Sequence, residues 1–242
     1  MKALVLAGRR VAGQDAYEAQ VRISGRPMVE YVVQAVRDHP AVTVVRVVGP
    51  AVAAPGVESL PGGESLWESV ERGLAGWDPD ERVLVATGDI PLLTTAIVDE
   101  FLRRAPEEGD MIYPIVPQEA VRARLTGVQR TYVRLRDGVF TGGNVFLVRP
   151  RVVPRVRHRA ERLVAHRKAP WRLAQDLGAL FLVRFLLGRL ALDEVEEAAR
   201  RYLGITGAAL VFPYAEVGID VDKPSDLERV SAELAKGGAV GA

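Results

Sequence analysis

Three carboxylates in two short motifs stand where their chemistry can be used. Asp89 ends the run Val83-Leu84-Val85-Ala86-Thr87-Gly88-Asp89, in which apolar residues stop abruptly at Thr-Gly-Asp. The run reads as a strand buried on both faces. Gly88 lets the backbone turn, so Asp89 falls at the carboxyl end of that strand, the edge where open α/β sheets bind ligands. Asp220 and Asp222 lie in Gly218-Ile219-Asp220-Val221-Asp222-Lys223-Pro224. In an extended segment side chains alternate, which puts both carboxylates on one face. Two carboxylates on one face repel, and a bound divalent cation relieves the repulsion. Carboxylates are hard oxygen ligands suited to Mg²⁺ held between protein and phosphates. Plainer readings stand beside these. Asp89 can serve only to cap the helix that starts near Thr94, and Asp222-Lys223-Pro224 can be a helix start with Asp226 in its first turn.

A second group of residues suits anions. Gly8-Arg9-Arg10-Val11-Ala12-Gly13 follows the first apolar run. A glycine-containing loop after a first strand brings backbone N–H groups to a phosphate. Arg9 and Arg10 there either clamp a triphosphate or are simply solvated. Gly62-Gly63 permits close backbone approach, and Ser65 can cap the helix behind it. Gly142-Gly143 would bring the backbone of a later strand against a ligand.

The bulk composition narrows the classes. The chain has 242 residues, 32 basic and 31 acidic, for a net charge of +1. That balance gives no support to a nucleic-acid-binding protein. Lysine is scarce, at Lys2, Lys168, Lys223 and Lys236. The absence of cysteine excludes disulfides, thiolate metal sites and cysteine nucleophiles. Met1-Lys2 leads straight into an apolar run without a leader pattern, and no apolar run approaches the roughly 18 residues of a membrane span. A cytoplasmic protein is expected.

The elements that must position these residues follow in order. Strands are expected at Lys2–Ala7, Val42–Val48, Arg82–Ala86 and Met111–Val116, with helices at 28–37, 66–74 and 97–103 between them. Ala51–Pro61 reads as a loop. Met28, Tyr31, Val32, Ala35 and Val36 make a core-facing stripe. This β-α-β-α-β-α-β order predicts a parallel sheet with helices on both faces. Beyond it, Thr131–Leu135 alternates, Asp137-Gly138 is a hairpin turn, and Val145–Val148 is a further strand. Residues 149–162 are strongly basic, and 171–190 form an unusually apolar helix. That helix is either buried or a surface for a partner subunit, a membrane or a lipid-like substrate. A helix at 193–202, a strand at 208–212 and a helix at 224–234 close the chain.

Leu6-Ala7-Gly8, Gly25-Arg26-Pro27, Thr87-Gly88-Asp89-Ile90-Pro91-Leu92 and Asp220-Val221-Asp222-Lys223-Pro224-Ser225-Asp226-Leu227 occur in the order seen in MobA-like NTP transferases. The chain resembles that family over roughly residues 1–150 and 205–235. It is thereby similar to the sugar-phosphate and methylerythritol-phosphate nucleotidyltransferases. The resemblance implies an α/β fold of the Rossmann-like, GT-A type with a mostly parallel central sheet. It implies attack by an acceptor phosphate oxygen on the α-phosphorus of an NTP, with release of pyrophosphate, and Mg²⁺ as cofactor. The family carries a lysine about nine residues before the proline of its Gly-Lys-Pro motif. Counting back nine from Pro27 gives Glu18.

The expectation is therefore one nucleotidyltransferase domain with a helical insertion at 150–202. Asp89 and Asp222, with Asp220, would bind Mg²⁺. Leu6, Ala7, Gly8, Arg9, Gly62, Gly63, Ser65, Gly88 and Asp89 would contact the nucleotide, and Gly143 and Asn144 the acceptor. Arg9, Arg10 and Lys168 would act on the reacting phosphates. The insertion would form a lid beside the active-site edge, Lys168 facing the acceptor phosphate, its alternative being a structural appendage. Partners would be an NTP and a phosphorylated small-molecule acceptor, with a homodimer possible at the apolar helix. A non-catalytic nucleotide-binding protein and a glycosyltransferase on the same fold are the competing readings.

Overall fold

The structure is a computed structural model. It describes residues 1–11, 13–125, 127, 130–166 and 176–238. The elements in chain order are β1 (Lys2–Leu6), β2 (Arg22–Ile23), β3 (Arg26–Pro27), α1 (Met28–Arg37), β4 (Val44–Val48), β5 (Val57–Leu60) and α2 (Leu66–Leu74). Then follow β6 (Val83–Thr87), α3 (Thr95–Arg104), β7 (Met111–Pro117), α4 (Gln118–Arg124), β8 (Val133–Leu135), β9 (Gly138–Gly142) and β10 (Val145–Val148). The chain ends with α5 (Val153–His166), α6 (Ala179–Leu186), α7 (Leu192–Leu203), β11 (Gly207–Val211) and α8 (Pro224–Gly238).

β5, β4, β1 and β6 run parallel, with Leu6 paired to both Val48 and Thr87 and Val48 paired to Leu60. The ends of β1, β5 and β6 therefore lie together, and the loops that leave them form one edge of the sheet. β10 enters next to β6 in the antiparallel sense, Val145 opposite Ala86, and β7 lies beyond it. The sheet is thus mixed but mostly parallel, and the fold is Rossmann-like α/β.

Alternation along β1 divides the core in two. Ala3 and Val5 pack with Val32, Val36, Val98 and Phe101 on the α1 and α3 side. Leu4 and Leu6 pack with Leu74, Val83, Val85, Val153 and Val156 on the α2 and α5 side. Adjacent residues of a strand face opposite sides, so a run with no polar break is covered on both faces. Burying a side chain the size of Leu4 contributes about 1.5–3 kcal/mol.

Two expectations need correction. The loop expected at 51–61 contains β5. It is an edge strand with one neighbour and no buried residue, so its apolar signal is weak. Described residues of the segment expected as an insertion are part of the core rather than an appendage to it. Val152, Val153 and Val156 are buried against the sheet, which makes α5 a layer of the core. Lys168 lies outside the described residues, as does 171–175 of the expected apolar helix. Of the described part, 176–190, only Ala179–Leu186 form α6, which has no buried residue: Phe181 and Phe185 pack toward Leu135 and Phe140, Leu180 and Leu186 are 73% and 68% exposed, and Leu190 beyond the helix is buried.

Candidate active site

Asp89 reaches the site because β6 ends at Thr87 and the chain turns at Gly88. The Gly88 amide donates to the Leu6 carbonyl at 2.8 Å. A Cβ on Gly88 would lie 2.8 Å from the Ala7 Cβ, so only glycine lets these two loops touch. Thr94, not Asp89, caps α3, its side chain accepting from the Ile97 amide. Asp89 is thus free of the capping role. The hydroxyl of Thr87 donates to its Oδ1.

The other two carboxylates arrive from the far end of the chain. After β11 the backbone returns to the edge, and the Val221 amide donates to the Asp89 carbonyl at 2.9 Å. Asp220 and Asp222, two apart across Val221, then face the Asp89 side chain. Oxygens of the three carboxylates lie within 4.8 Å of one another. Arg130 Nη1 lies 3.2 Å from Asp220 Oδ1, and Arg9 Nη1 2.7 Å from Asp222 Oδ1.

Electrostatics follow from this crowding. Burial is the main cause that raises the Asp89 carboxyl above its ordinary value, with Asp222 adding and the Thr87 hydroxyl opposing. Burial likewise pushes Asp220 up to about 6, Arg130 opposing and the charges of Asp222 and Asp89 adding. Burial acts the same way on Asp222, but bonds from Asp220 and Arg9 outweigh it and hold that carboxyl below the ordinary range. Three negative charges packed this closely are the situation that a cation relieves. The donors are all carboxylate oxygens, with no thiolate or imidazole among them, which fits a hard ion such as Mg²⁺.

Two clefts meet at these carboxylates. One, of about 690 Å³, is lined by Leu6, Gly8, Arg9, Arg10, Gly62, Gly63, Ser65, Ser69, Thr87 and Asp89. Its floor is two glycine backbones in contact: a Cβ on Gly8 would lie 3.2 Å from the Gly62 Cα. Ser65 caps α2 by accepting from the Glu68 amide at 3.1 Å, and buried Ser69 accepts from the Gly63 amide at 3.0 Å. Ser69 carries no sequence signal beyond lying one helical turn after the cap. Arg10 stacks on Tyr17 at 4.6 Å and pairs with Asp15.

The second cleft, of about 430 Å³, is lined by Arg130, Thr131, Thr141, Gly142, Asn144, Gly218, Asp220, Asp222, Lys223 and Asp226. β7 holds Met111 and Ile112 against Val148 and Leu147, but Ile115 against Gly142. Between those registers two residues of β7 oppose four of the partner, so Gly143 and Asn144 form a bulge. Bulges re-aim side chains beside sites, and here Asn144 is directed to the Val217 carbonyl at 3.2 Å. Gly143 is not among the lining residues. A Cβ there would meet Pro114 Cγ at 2.8 Å, so packing alone accounts for its glycine. Among the described residues, none of 150–202 lines either cleft.

The mostly parallel sheet, with its clefts at the carboxyl edge, defines an α/β protein built to hold a ligand at that edge. A MobA-like NTP transferase domain matches residues 3–198, and the chain belongs to that family, which makes it an enzyme of the nucleotidyltransferase class. The matched range runs into the segment expected as an insertion and stops before Asp220 and Asp222.

A hypothetical transferase from Thermus thermophilus is 44% identical, with a TM-score of 0.83, over 93% of this chain and 98% of that one. Two more distant structures share the fold. A 2-C-methyl-D-erythritol 4-phosphate cytidylyltransferase from Francisella tularensis is 13% identical, TM-score 0.58, over 96% of this chain and 99% of that one. CMP:2-keto-3-deoxy-manno-octonic acid synthetase, complexed with CTP, is 16% identical, TM-score 0.63, over 98% and 99%. No curated protein matches the chain. Among the described residues no helix is long and apolar enough to cross a membrane.

Proposed function

We propose that the protein transfers a nucleoside monophosphate from an NTP to a phosphorylated small molecule, in a Mg²⁺-dependent reaction that releases pyrophosphate. The observation that carries this reading is the position of the three carboxylates as a wall common to two clefts, Asp89 lining one and Asp220 and Asp222 the other. The glycine-floored cleft suits the NTP, where backbone at Ala7–Arg10 and the Arg9 and Arg10 guanidiniums meet the triphosphate. The polar cleft with Arg130, Asn144 and Lys223 suits an anionic acceptor. A phosphate is already ionised at neutral pH, so no protein base is required. Its oxygen forms a bond to the α-phosphorus while the α–β bridging bond breaks, and pyrophosphate leaves with the electron pair.

Asp89, Asp220 and Asp222 would hold the Mg²⁺, which when bound supplies charge neutralisation to the phosphates. The chain itself supplies in-line placement of the two substrates and exclusion of water between them. The test is incubation with each NTP, Mg²⁺ and a pool of phosphorylated small molecules. Pyrophosphate formed only in the presence of an acceptor is the expected result. NTP binding without pyrophosphate would replace this reading with a non-catalytic one. Nucleoside diphosphate released from a nucleotide-sugar would replace it with glycosyl transfer.

A further inference from the structure

Arg9 is held by two carboxylates rather than by packing. Its Nε lies 2.9 Å from Glu18 Oε2 and its Nη1 2.7 Å from Asp222 Oδ1, while its side chain is 64% exposed. Burial alone would lower the guanidinium, but the bond to Asp222 and the charges of Glu18, Asp222 and Asp89 raise it overall. Arg9 therefore sits on one of the three clustered carboxylates. Of the neighbouring cations, Arg130 pairs with Asp220 in the same cluster, Lys223 lines the cleft beside Asp222, and Arg10 pairs with Asp15 and stacks on Tyr17. Exposed ion pairs contribute little to stability, so the Arg9–Asp222 pair exchanges readily for a stronger partner.

A divalent cation held by the cluster and the Arg9 guanidinium compete for the same carboxylate. We propose that Arg9 is an exchangeable counter-ion, neutralising Asp222 until a cation takes that carboxylate and then turning its Nη edge to the triphosphate, with Glu18 as its tether. The inference rests on the nucleotidyltransferase reading above. Glu18 keeps the Arg9 Nε edge in place while the other edge changes partner. It follows that cation and NTP bind cooperatively beyond their direct contact, because each favours the released form of Arg9, and the coupling is reciprocal.

The test is calorimetric titration of metal-depleted protein with Mn²⁺ alone, and with an NTP in the presence and absence of Mn²⁺, for wild type, Arg9→Gln and Arg10→Gln. Arg9 is exposed and makes no core contact, so its variant folds. Arg9→Gln should tighten Mn²⁺ binding by at least about fivefold, the lower end of common coupling strengths. Arg10→Gln removes the same charge from the same cleft and should leave Mn²⁺ affinity unchanged. The factor by which Mn²⁺ tightens NTP binding should fall in Arg9→Gln. No tightening by Arg9→Gln, or equal tightening by both variants, would overturn the exchange while leaving the enzyme reading intact. Failure of Mn²⁺ to bind wild type, with and without NTP, would overturn the metal reading and the exchange with it.

Discussion

The backbone amide of Val221 donates to the carbonyl oxygen of Asp89 at 2.9 Å. This one bond joins the turn after β6 to the segment before α8, and it sets Asp220 and Asp222 beside Asp89. Asp89→Asn and Asp222→Asn should each reduce Mg²⁺-dependent turnover by about 100-fold or more, the range seen when one electrostatic contributor to a transition state is removed. The backbone bond is untouched, so circular dichroism should show an intact fold. Full activity in either variant would remove the carboxylates from the chemistry.

The phosphate clamp is tested by removing Arg9 and Arg10 together. With Mg²⁺ present, Arg9→Ala combined with Arg10→Ala should raise the apparent NTP dissociation constant at least about tenfold, equivalent to about 1.4 kcal/mol. An unchanged constant would mean that the loop is only a turn.

The pH dependence follows from Asp220, whose carboxyl burial pushes from 3.8 to about 6. Between those values the cation-free folded protein binds more protons than the unfolded chain. Its stability from this group therefore falls as pH rises through the window. Asp89, also raised by burial, acts in the same direction. Mg²⁺ should reverse the loss, raising the melting temperature more at pH 7.5 than near pH 5. An equal effect at both pH values would count against cation binding by these carboxylates.

Gly88 tests the contact between the two loops. Gly88→Ala sets a Cβ 2.8 Å from that of Ala7, neither of which is a flexible tip. Overpacking of this kind costs about 1–3 kcal/mol. At about 2–4 °C per kcal/mol for a chain of this size, the melting temperature should drop by several degrees. NTP affinity should fall with it, because the displaced Ala7 belongs to the phosphate loop. A melting temperature within a degree of wild type would show that the loops yield without strain.

Much of the framework was legible in the residues. α1 and α2 begin and end where their apolar stripes and flanking residues place them, at Met28–Arg37 and Leu66–Leu74. β10 falls on the apolar run Val145–Val148. Asp89 stood out because it follows an apolar run at a turn, and Asp220 and Asp222 because their alternation puts two carboxylates on one face. Four elements escaped for local reasons, β2 and β3 because they are only two residues each. β5 is an exposed edge with little apolar content. α4 lacks a side-chain cap, starting at Pro117 with no capping bond.

Other relations could not be read because they depend on pairing between distant segments. Nothing in Val145–Val148 says that β10 enters between β6 and β7 and runs against both, since an apolar strand buried on two faces suits either direction. The bulge at Gly143 and Asn144 exists only through the register that β7 imposes. Arg130 carries no signal in its neighbours, and nothing near Glu18 says that it meets Arg9, yet the two hold Asp220 and Arg9. Spacing along the chain determined which residues share a strand face or a helix stripe, because that is local geometry. Which carboxylates share one edge, and which arginines neutralise them, was decided by the fold, because those distances are set by strand order and backbone bonds across the molecule.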